Sequence, residues 1–194
     1  MKLYEYSPLP NPRRVRIFMA EKGIDFESIE VDVLGGEHRS NDFKQVNPWS
    51  AVPVLELQDG TRIAETQAIC RYLDGIQPTP SLFGVEPVQQ AQVEMWQRRI
   101  EFNVFEPLVA YFHYATPGLG EELETHHNPA YGAYCLEKVQ QNLQLLNQEL
   151  ANKEFIAGDY SIADITALCA LDFAQSMNIE VPAELNHLHL WHQR

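Results

Sequence analysis

Cysteine is scarce in this chain, and its three cysteines stand far apart. Cys70, Cys135 and Cys169 form no Cys-x-x-Cys pair, which excludes the usual dithiol redox motif and a zinc site built from neighbouring thiolates. Each of them lies among apolar residues at helical spacing. We therefore expect all three to be buried as small apolar side chains, which is the usual place of a free cysteine.

The sequence also lacks a long apolar run and an excess of basic residues. No stretch is long enough to cross a bilayer, and no charged-then-apolar leader opens the chain. The 194 residues carry 14 Lys+Arg against 27 Asp+Glu, a net charge of −13, which makes nucleic acid and anionic membranes poor partners. We expect a cytoplasmic protein. We expect no metal site, because the C-terminal histidine cluster lacks acidic support and the i,i+4 zinc spacing; it comprises His187, His189 and His192.

Alternating apolar patterns and turn residues in the first part of the chain predict an α/β unit. Pro12 suits the first turn of a helix, Gly23 suits its C-terminal stop, and Asp59-Gly60 is a strong hairpin turn. The expected order is strand, helix, strand, helix, strand, strand, helix. The approximate bounds are Lys2–Tyr6, Pro12–Gly23, Phe26–Val33, Asp42–Val46, Val54–Leu57, Thr61–Ile63 and Glu65–Asp74.

After Pro87 the apolar spacing is that of helices, and no convincing strand follows. We expect three helices, over about Val88–Tyr114, Tyr131–Leu150 and Ile162–Met177. Ser161 and Asp164 have the spacing of a capping box at the start of the third helix. The sequence therefore predicts an α/β domain over 1–78, a linker over 79–86 and an all-helical domain over 87–194.

The most informative motif, Asn47–Leu55, places a proline at the mouth of an apolar strand. Pro53 lacks the N–H that a strand ladder needs, so the strand's first position suits it, and X-Pro is the usual place of a cis bond. A cis Val52–Pro53 bond would turn the backbone N–H and C=O of Val52 outward, towards a bound peptide. Glu65-Thr66 opens an apolar helix soon afterwards, and the unpaired N–H groups of a helix start favour an anion.

These features together resemble the cytosolic glutathione transferases over nearly the whole chain, in both order and spacing. Three stretches look most like a bacterial and fungal branch, the yeast second glutathione transferase type; they are Pro10–Ile17, Gly36–His38 and Tyr111–Gly120. The resemblance implies a thioredoxin-like N-terminal domain followed by the family's helical bundle. It also implies glutathione as cosubstrate, without a cofactor.

The resemblance assigns glutathione-binding roles to five residues. The backbone of Val52, beside Pro53, would hold the cysteine of glutathione. Glu65 would take the γ-glutamyl ammonium, Thr66 the α-carboxylate of the same group, and His38 the glycine carboxylate. The structural alternatives are that Glu65 and Thr66 only begin a helix and that His38 is a surface loop histidine.

The thiol-activating group stays open among three residues. A free thiol with a pKa of about 8.5 is mostly protonated at neutral pH, so transfer needs a group that stabilises the thiolate. Asn11 matches a position where an amide serves in some bacterial relatives, and Ser7 offers a hydroxyl in the same first loop. His113 matches a histidine that holds a water near the sulfur in the yeast-type branch. The alternatives are a packed helix histidine for His113 and a local turn for Ser7.

The resemblance predicts an enzyme that activates glutathione for conjugation to small hydrophobic electrophiles, with a role in detoxification. Tyr111, Tyr114 and Leu119 would supply apolar contacts to the electrophile. Two alternatives use the same binding site: a peroxidase or disulfide reductase, and a non-catalytic glutathione-binding module. The family also implies a homodimer.

Overall fold

The computed structural model describes all 194 residues, which form two compact units, Met1–Ser81 and Leu82–Arg194. The first unit carries every strand of the molecule. The second is helical, apart from one isolated bridge between Phe155 and Gly158. None of the helices is both long and apolar enough to span a membrane.

A four-stranded mixed sheet forms the centre of the first unit. Its strands are β1 (Lys2–Glu5), β2 (Glu27–Glu30), β3 (Val54–Glu56) and β4 (Arg62–Ala64), in the spatial order β2-β1-β3-β4. Strand β1 pairs in parallel with β2 and antiparallel with β3, and β3 and β4 form the predicted hairpin. Gly60 in the hairpin turn has a φ of 85°, a backbone conformation that glycine adopts without steric cost.

Three helices complete the first unit: α1 (Pro10–Lys22), α2 (Asn41–Val46) and α3 (Thr66–Ile76). Helix α1 ends as predicted at Gly23, whose N–H bonds to the carbonyls of Met19 and Ala20, the usual left-handed termination. The predicted order of strands and helices is thus confirmed. The core that joins helices and sheet is fully buried and apolar; it includes Leu3, Val15, Phe18, Met19, Val54, Leu55, Ile69 and Leu73.

The second unit contains five helices: α4 (Pro87–Ile100), α5 (Glu106–Ala115), α6 (Pro129–Glu149), α7 (Ile162–Ser176) and α8 (Asn186–His192). The single long helix predicted over Val88–Tyr114 is wrong in one respect, because a π-helical turn, Glu101–Phe105, separates α4 from α5. Pro107 explains the break, since it has no N–H to donate within a continuous helix. It lies in the first turn of α5, where that donor is not needed.

Asp164 ties three parts of the second unit together. It forms the predicted capping box with Ser161 at the start of α7. The same carboxylate accepts from the Ile156 N–H at 3.0 Å and from the Trp191 indole N–H of α8 at 2.9 Å. Helix α8 was not predicted, and this long-range bond is one reason that it packs where it does. The three cysteines are free and buried, as predicted.

Candidate functional site

The Val52–Pro53 peptide bond is cis, the conformation that the sequence indicated. The Val52 side chain packs on an apolar cluster beside β3, while its backbone N–H and C=O make no hydrogen bond within the chain. Asn47 holds the loop before it, because its Nδ2 donates to the Ala51 carbonyl at 2.8 Å and its Oδ1 accepts from the Trp49 N–H at 3.1 Å. The loop therefore presents a fixed backbone edge with a free donor and a free acceptor.

Glu65 and Thr66 form the start of α3 in an unusual conformation. Glu65 has a φ of 67°, which is rare for a residue other than glycine and typical of functional sites. Its carboxylate makes no ion pair within the chain, and no side chain caps the helix. A free carboxylate thus lies next to an uncapped helix start, which favours an anion. This pairing suits a ligand end that carries both an ammonium and a carboxylate.

His38 lies in a 3₁₀ turn, Glu37–Arg39, and is only 7% exposed. Its Nδ1 is buried without a hydrogen-bond partner, which is a costly state for a polar atom and typical of a site that takes a ligand or water. Burial, and then the positive charge of Arg39, lower the pKa of the imidazole, and a hydrogen bond with the Val33 backbone opposes them. His38 is therefore buried, and the alternative of a surface loop histidine is wrong.

Asn11 is the second residue of α1, and a buried arginine sets the orientation of its amide. The Oδ1 of Asn11 accepts from Nη1 of Arg14 at 3.2 Å, and Arg14 is only 1% exposed. Since a guanidinium can only donate, the amide oxygen faces Arg14 and the NH₂ group is directed elsewhere. No side chain caps α1. Pro10 and Pro12 have no N–H, and the Arg13 N–H donates to the Leu9 carbonyl, so the Asn11 backbone N–H and this NH₂ are the donors that the helix start can offer to an anion.

Ser7 has a local partner for its hydroxyl. Its Oγ donates to Oε1 of Glu30 at 3.1 Å, and its backbone N–H donates to the same oxygen at 2.9 Å. Arg16 in turn donates to the Ser7 carbonyl at 2.9 Å. The hydroxyl proton is thus directed at a carboxylate, which would repel a nearby thiolate.

His113 lies in the last turn of α5, in the second unit. Its Nδ1 is 2.6 Å from Oε1 of Glu124, and its Nε2 has no partner within the chain. The contact orients the ring and leaves one ring nitrogen available. The partner of His113 is thus a side chain and not the backbone.

Sequence reasoning missed two residues that support these candidates. Arg14 carried a usable signal, because it follows Asn11 by three residues on a helix, where side chains at that spacing meet. Glu124 carried none, since it lies in the polar connection between α5 and α6 and reaches His113 only through the path of the loop.

Two family profiles cover most of the chain. The glutathione S-transferase N-terminal domain matches residues 10–76, and the glutathione S-transferase C-terminal domain matches residues 102–194. The chain belongs to the glutathione S-transferase family. This membership accounts for an α/β unit followed by a helical one, and it confirms the predicted thioredoxin-like plus helical-bundle fold class.

Relatives of this transferase match along its whole length. Glutathione S-transferase 2 of Saccharomyces cerevisiae is 37% identical over 197 residues, which cover 100% of this chain and 84% of the relative. A glutathione S-transferase domain-containing protein from Marinobacter aquaeolei is 46% identical in sequence, and its crystal structure matches with a TM-score of 0.97. The match covers 100% of this chain and 96% of that protein's chain. Gtt2 from Saccharomyces cerevisiae is 37% identical, and its crystal structure matches with a TM-score of 0.97 over 100% of this chain and 95% of that one. The predicted branch and the prediction of a glutathione transferase are confirmed.

Proposed function

We propose that this transferase conjugates glutathione to small hydrophobic electrophiles, using residues 1–78 to bind glutathione and residues 87–194 to bind the electrophile. The observation that carries the proposal is the free backbone edge at Val52, beside Pro53. A tripeptide can pair with both its N–H and its C=O, in the manner of an added strand. Family membership and the full-length relatives support the same activity.

The charged groups around this edge match the charges of glutathione. Glu65 takes the γ-glutamyl ammonium, and Thr66 at the uncapped start of α3 takes the α-carboxylate. The Nδ1 of His38 can donate to the glycine carboxylate when the ring is doubly protonated, because the neutral ring uses its one proton in the hydrogen bond with the Val33 backbone. Each contact satisfies a group that has no partner of its own in the chain, which favours binding over a purely structural role.

Asn11 is the group that we assign to thiolate stabilisation. Lowering the thiol pKa by about two units corresponds to about 2.7 kcal/mol of preferential anion binding. The Asn11 NH₂, the positive start of α1 and the charge of Arg14 can each contribute to that figure. We assign to His113 the role of accepting the thiol proton of glutathione, with Nε2 as the acceptor atom. Ser7 is the weaker candidate, since its hydroxyl already donates to Glu30.

The test is the thiol pKa of bound glutathione, measured by thiolate absorbance in a pH titration. We expect Asn11→Ala to raise it by about one unit, equivalent to about 1.4 kcal/mol, while the matched surface variant Asn103→Ala leaves it unchanged. If Ser7→Ala raises the pKa and Asn11→Ala does not, the assignment reverses. Failure of the wild-type chain to bind glutathione would refute the proposed function.

Turnover assays separate the competing activities. A chlorodinitrobenzene-type electrophile tests conjugation, and a peroxide tests the peroxidase alternative. Binding of glutathione without a lowered thiol pKa and without turnover would instead support a non-catalytic module. We propose that the enzyme acts in the cytoplasm as a homodimer in detoxification and needs no cofactor, as the family implies; light scattering tests the oligomeric state.

A further inference from the structure

The ammonium of Lys22 is buried at the end of α1 and has three partners there. The side chain is fully buried. Its Nζ donates to Oδ1 of Asp74 at 2.5 Å, to the Gln77 carbonyl at 2.9 Å and to the Pro80 carbonyl. An ammonium has three N–H donors and no acceptor. Every donor of this buried charge is therefore used on α3 or on the segment that follows it.

These contacts join the ends of two helices. Lys22 is the last residue of α1, and Asp74 lies in the last turn of α3. A buried charge is tolerated when it is paired and hydrogen-bonded, and removing one partner leaves the other uncompensated. We call this group the Lys22 clamp; it comprises Lys22, Asp74, Gln77 and Pro80. The clamp holds the end of α1 against the end of α3 and the residues after it.

The sheet places the starts of the same two helices together. Strands β1 and β4 run in the same direction, because each lies antiparallel to β3. Helix α1 follows β1, and α3 follows β4 directly, so both helices begin beyond the ends of these strands and run back along the sheet. The two helices also pack against each other. Their starts therefore lie at one end of the sheet, and the Lys22 clamp joins their ends at the other.

The starts of these helices carry residues that we assign to glutathione. Asn11 lies at the start of α1, and Glu65 and Thr66 lie at the start of α3. The helix rises about 16 Å from Asn11 to Lys22, so the ammonium touches no ligand at the helix starts. We infer that Lys22 is a positioning residue, which joins the ends of α1 and α3 and thereby fixes the distance between Asn11 and the Glu65-Thr66 pair.

This role of Lys22 rests on the proposed function, because glutathione has to contact both helix starts at once. A site whose parts are already held at the right spacing loses less free energy to ordering when the ligand binds. Without the clamp, α1 and α3 can shift against each other, and the two sets of binding groups no longer match one ligand. Removal of the ammonium should therefore weaken binding from a distance.

The first test needs no ligand and follows two NMR signals of the full chain, the Thr66 backbone N–H and the Asn11 side-chain NH₂. We expect Lys22→Met, which keeps the length of the side chain but not its charge, to shift both signals. The matched surface variant Lys44→Met should leave them in place. Asp74→Asn keeps an acceptor oxygen and should shift the same signals less, and it provides the test if Lys22→Met does not fold. Unchanged signals in the clamp variants would overturn the inference.

The second test measures the Kd of S-methylglutathione by calorimetry. This ligand has no thiol, so its affinity does not depend on thiolate stabilisation. We expect Lys22→Met to raise the Kd about fivefold, at the lower end of ordinary coupling between distant groups. The buried variant Leu3→Val changes the core of the same unit without touching the clamp, and it should keep the wild-type Kd. A wild-type Kd in Lys22→Met would contradict the positioning role.

A double variant distinguishes positioning from a general loosening of the first unit. In a Glu65→Gln background, Lys22→Met should raise the Kd by clearly less than fivefold, because one of the contacts that the clamp positions is already weakened. A full additional fivefold loss would count against the inference. If the wild type does not bind S-methylglutathione, the proposed function fails and the role of Lys22 fails with it. If only the effect of Lys22→Met is missing, the proposed function stands and the role of Lys22 alone is refuted.

Discussion

Removing the Asp164 carboxylate should destabilise the second unit more than any other single change that we describe. The side chain is 2% exposed and accepts four hydrogen bonds. Two come from Ser161, through its backbone N–H and its Oγ at 3.0 and 3.1 Å, and the others from Ile156 and Trp191 at 3.0 and 2.9 Å. Burial raises the pKa of the carboxyl, and the four donors partly offset that rise.

The magnitude follows from the donors that Asp164→Ala leaves behind. The Ser161 hydroxyl can rotate to another partner, but two backbone N–H groups and one indole N–H lose theirs in a buried place. Each orphaned group costs about 1–3 kcal/mol, and relaxation and shared losses keep the sum below simple addition. We expect a loss of about 4 kcal/mol for Asp164→Ala, and about 2 kcal/mol for Asp164→Asn, which keeps one acceptor oxygen.

Urea unfolding followed by tryptophan fluorescence is the assay, because Trp96 and Trp191 both report on the second unit. The urea concentration at the midpoint of unfolding should decrease from the wild type to Asp164→Asn and again to Asp164→Ala. Trp191→Phe removes one of the four donors and leaves the Asp164 carboxylate with the other three. The lost hydrogen bond should lower the unfolding free energy by only about 1 kcal/mol. A loss below about 1 kcal/mol in Asp164→Ala would refute the idea that this carboxylate joins α7, α8 and the preceding loop.

Three further outcomes are expected. Gly132→Ala should lower the unfolding free energy by about 2 kcal/mol, because the new Cβ would lie 2.4 Å from that of Ala115. Adding Ala115→Gly should restore much of the lost free energy, and urea unfolding measures both variants. The folded-state pKa of His38 lies below its ordinary 6.5, so the unfolded chain takes up the imidazole proton first as the pH falls. The stability that His38 contributes is therefore complete above about pH 6.5 and decreases below it. His38→Gln should remove this component from unfolding curves recorded between about pH 5 and pH 8, whereas an unchanged slope would contradict it. Glu65→Gln should raise the Kd for glutathione about tenfold in calorimetry, while an analogue without the γ-glutamyl ammonium should bind both forms alike.

Local patterns were enough to predict the first unit. Gly23, Asp59-Gly60 and Pro53 each act within a few residues, through a left-handed helix end, a hairpin turn and a strand start. The observed elements differ from their expected bounds by a few residues, because helix and strand ends depend on packing as well as on sequence. Val52, Glu65 and Thr66 lie on or near such local features, but the roles of the glutathione-binding candidates, His38 among them, came from the family resemblance.

Interactions between distant segments could not be predicted in the same way. Helix α8 is short, and its place depends on the bond from Trp191 to Asp164, 27 residues away. The hydroxyl of Ser7 is directed by Glu30, on the next strand. Glu124 meets His113 only because the loop turns back on α5. In each case the deciding partner is brought close by the fold, and no spacing along the chain indicates it.

The π-helical turn Glu101–Phe105 takes up one residue without changing the direction in which His113 points. A π turn holds one more residue than an α turn, so its five residues rotate about as far around the axis as four α-helical residues do. Deleting one residue from this turn should therefore give a plain α-helix that still directs His113 at Glu124. Deleting one residue from α5 itself, before His113, would instead rotate that side chain by about 100° and away from Glu124.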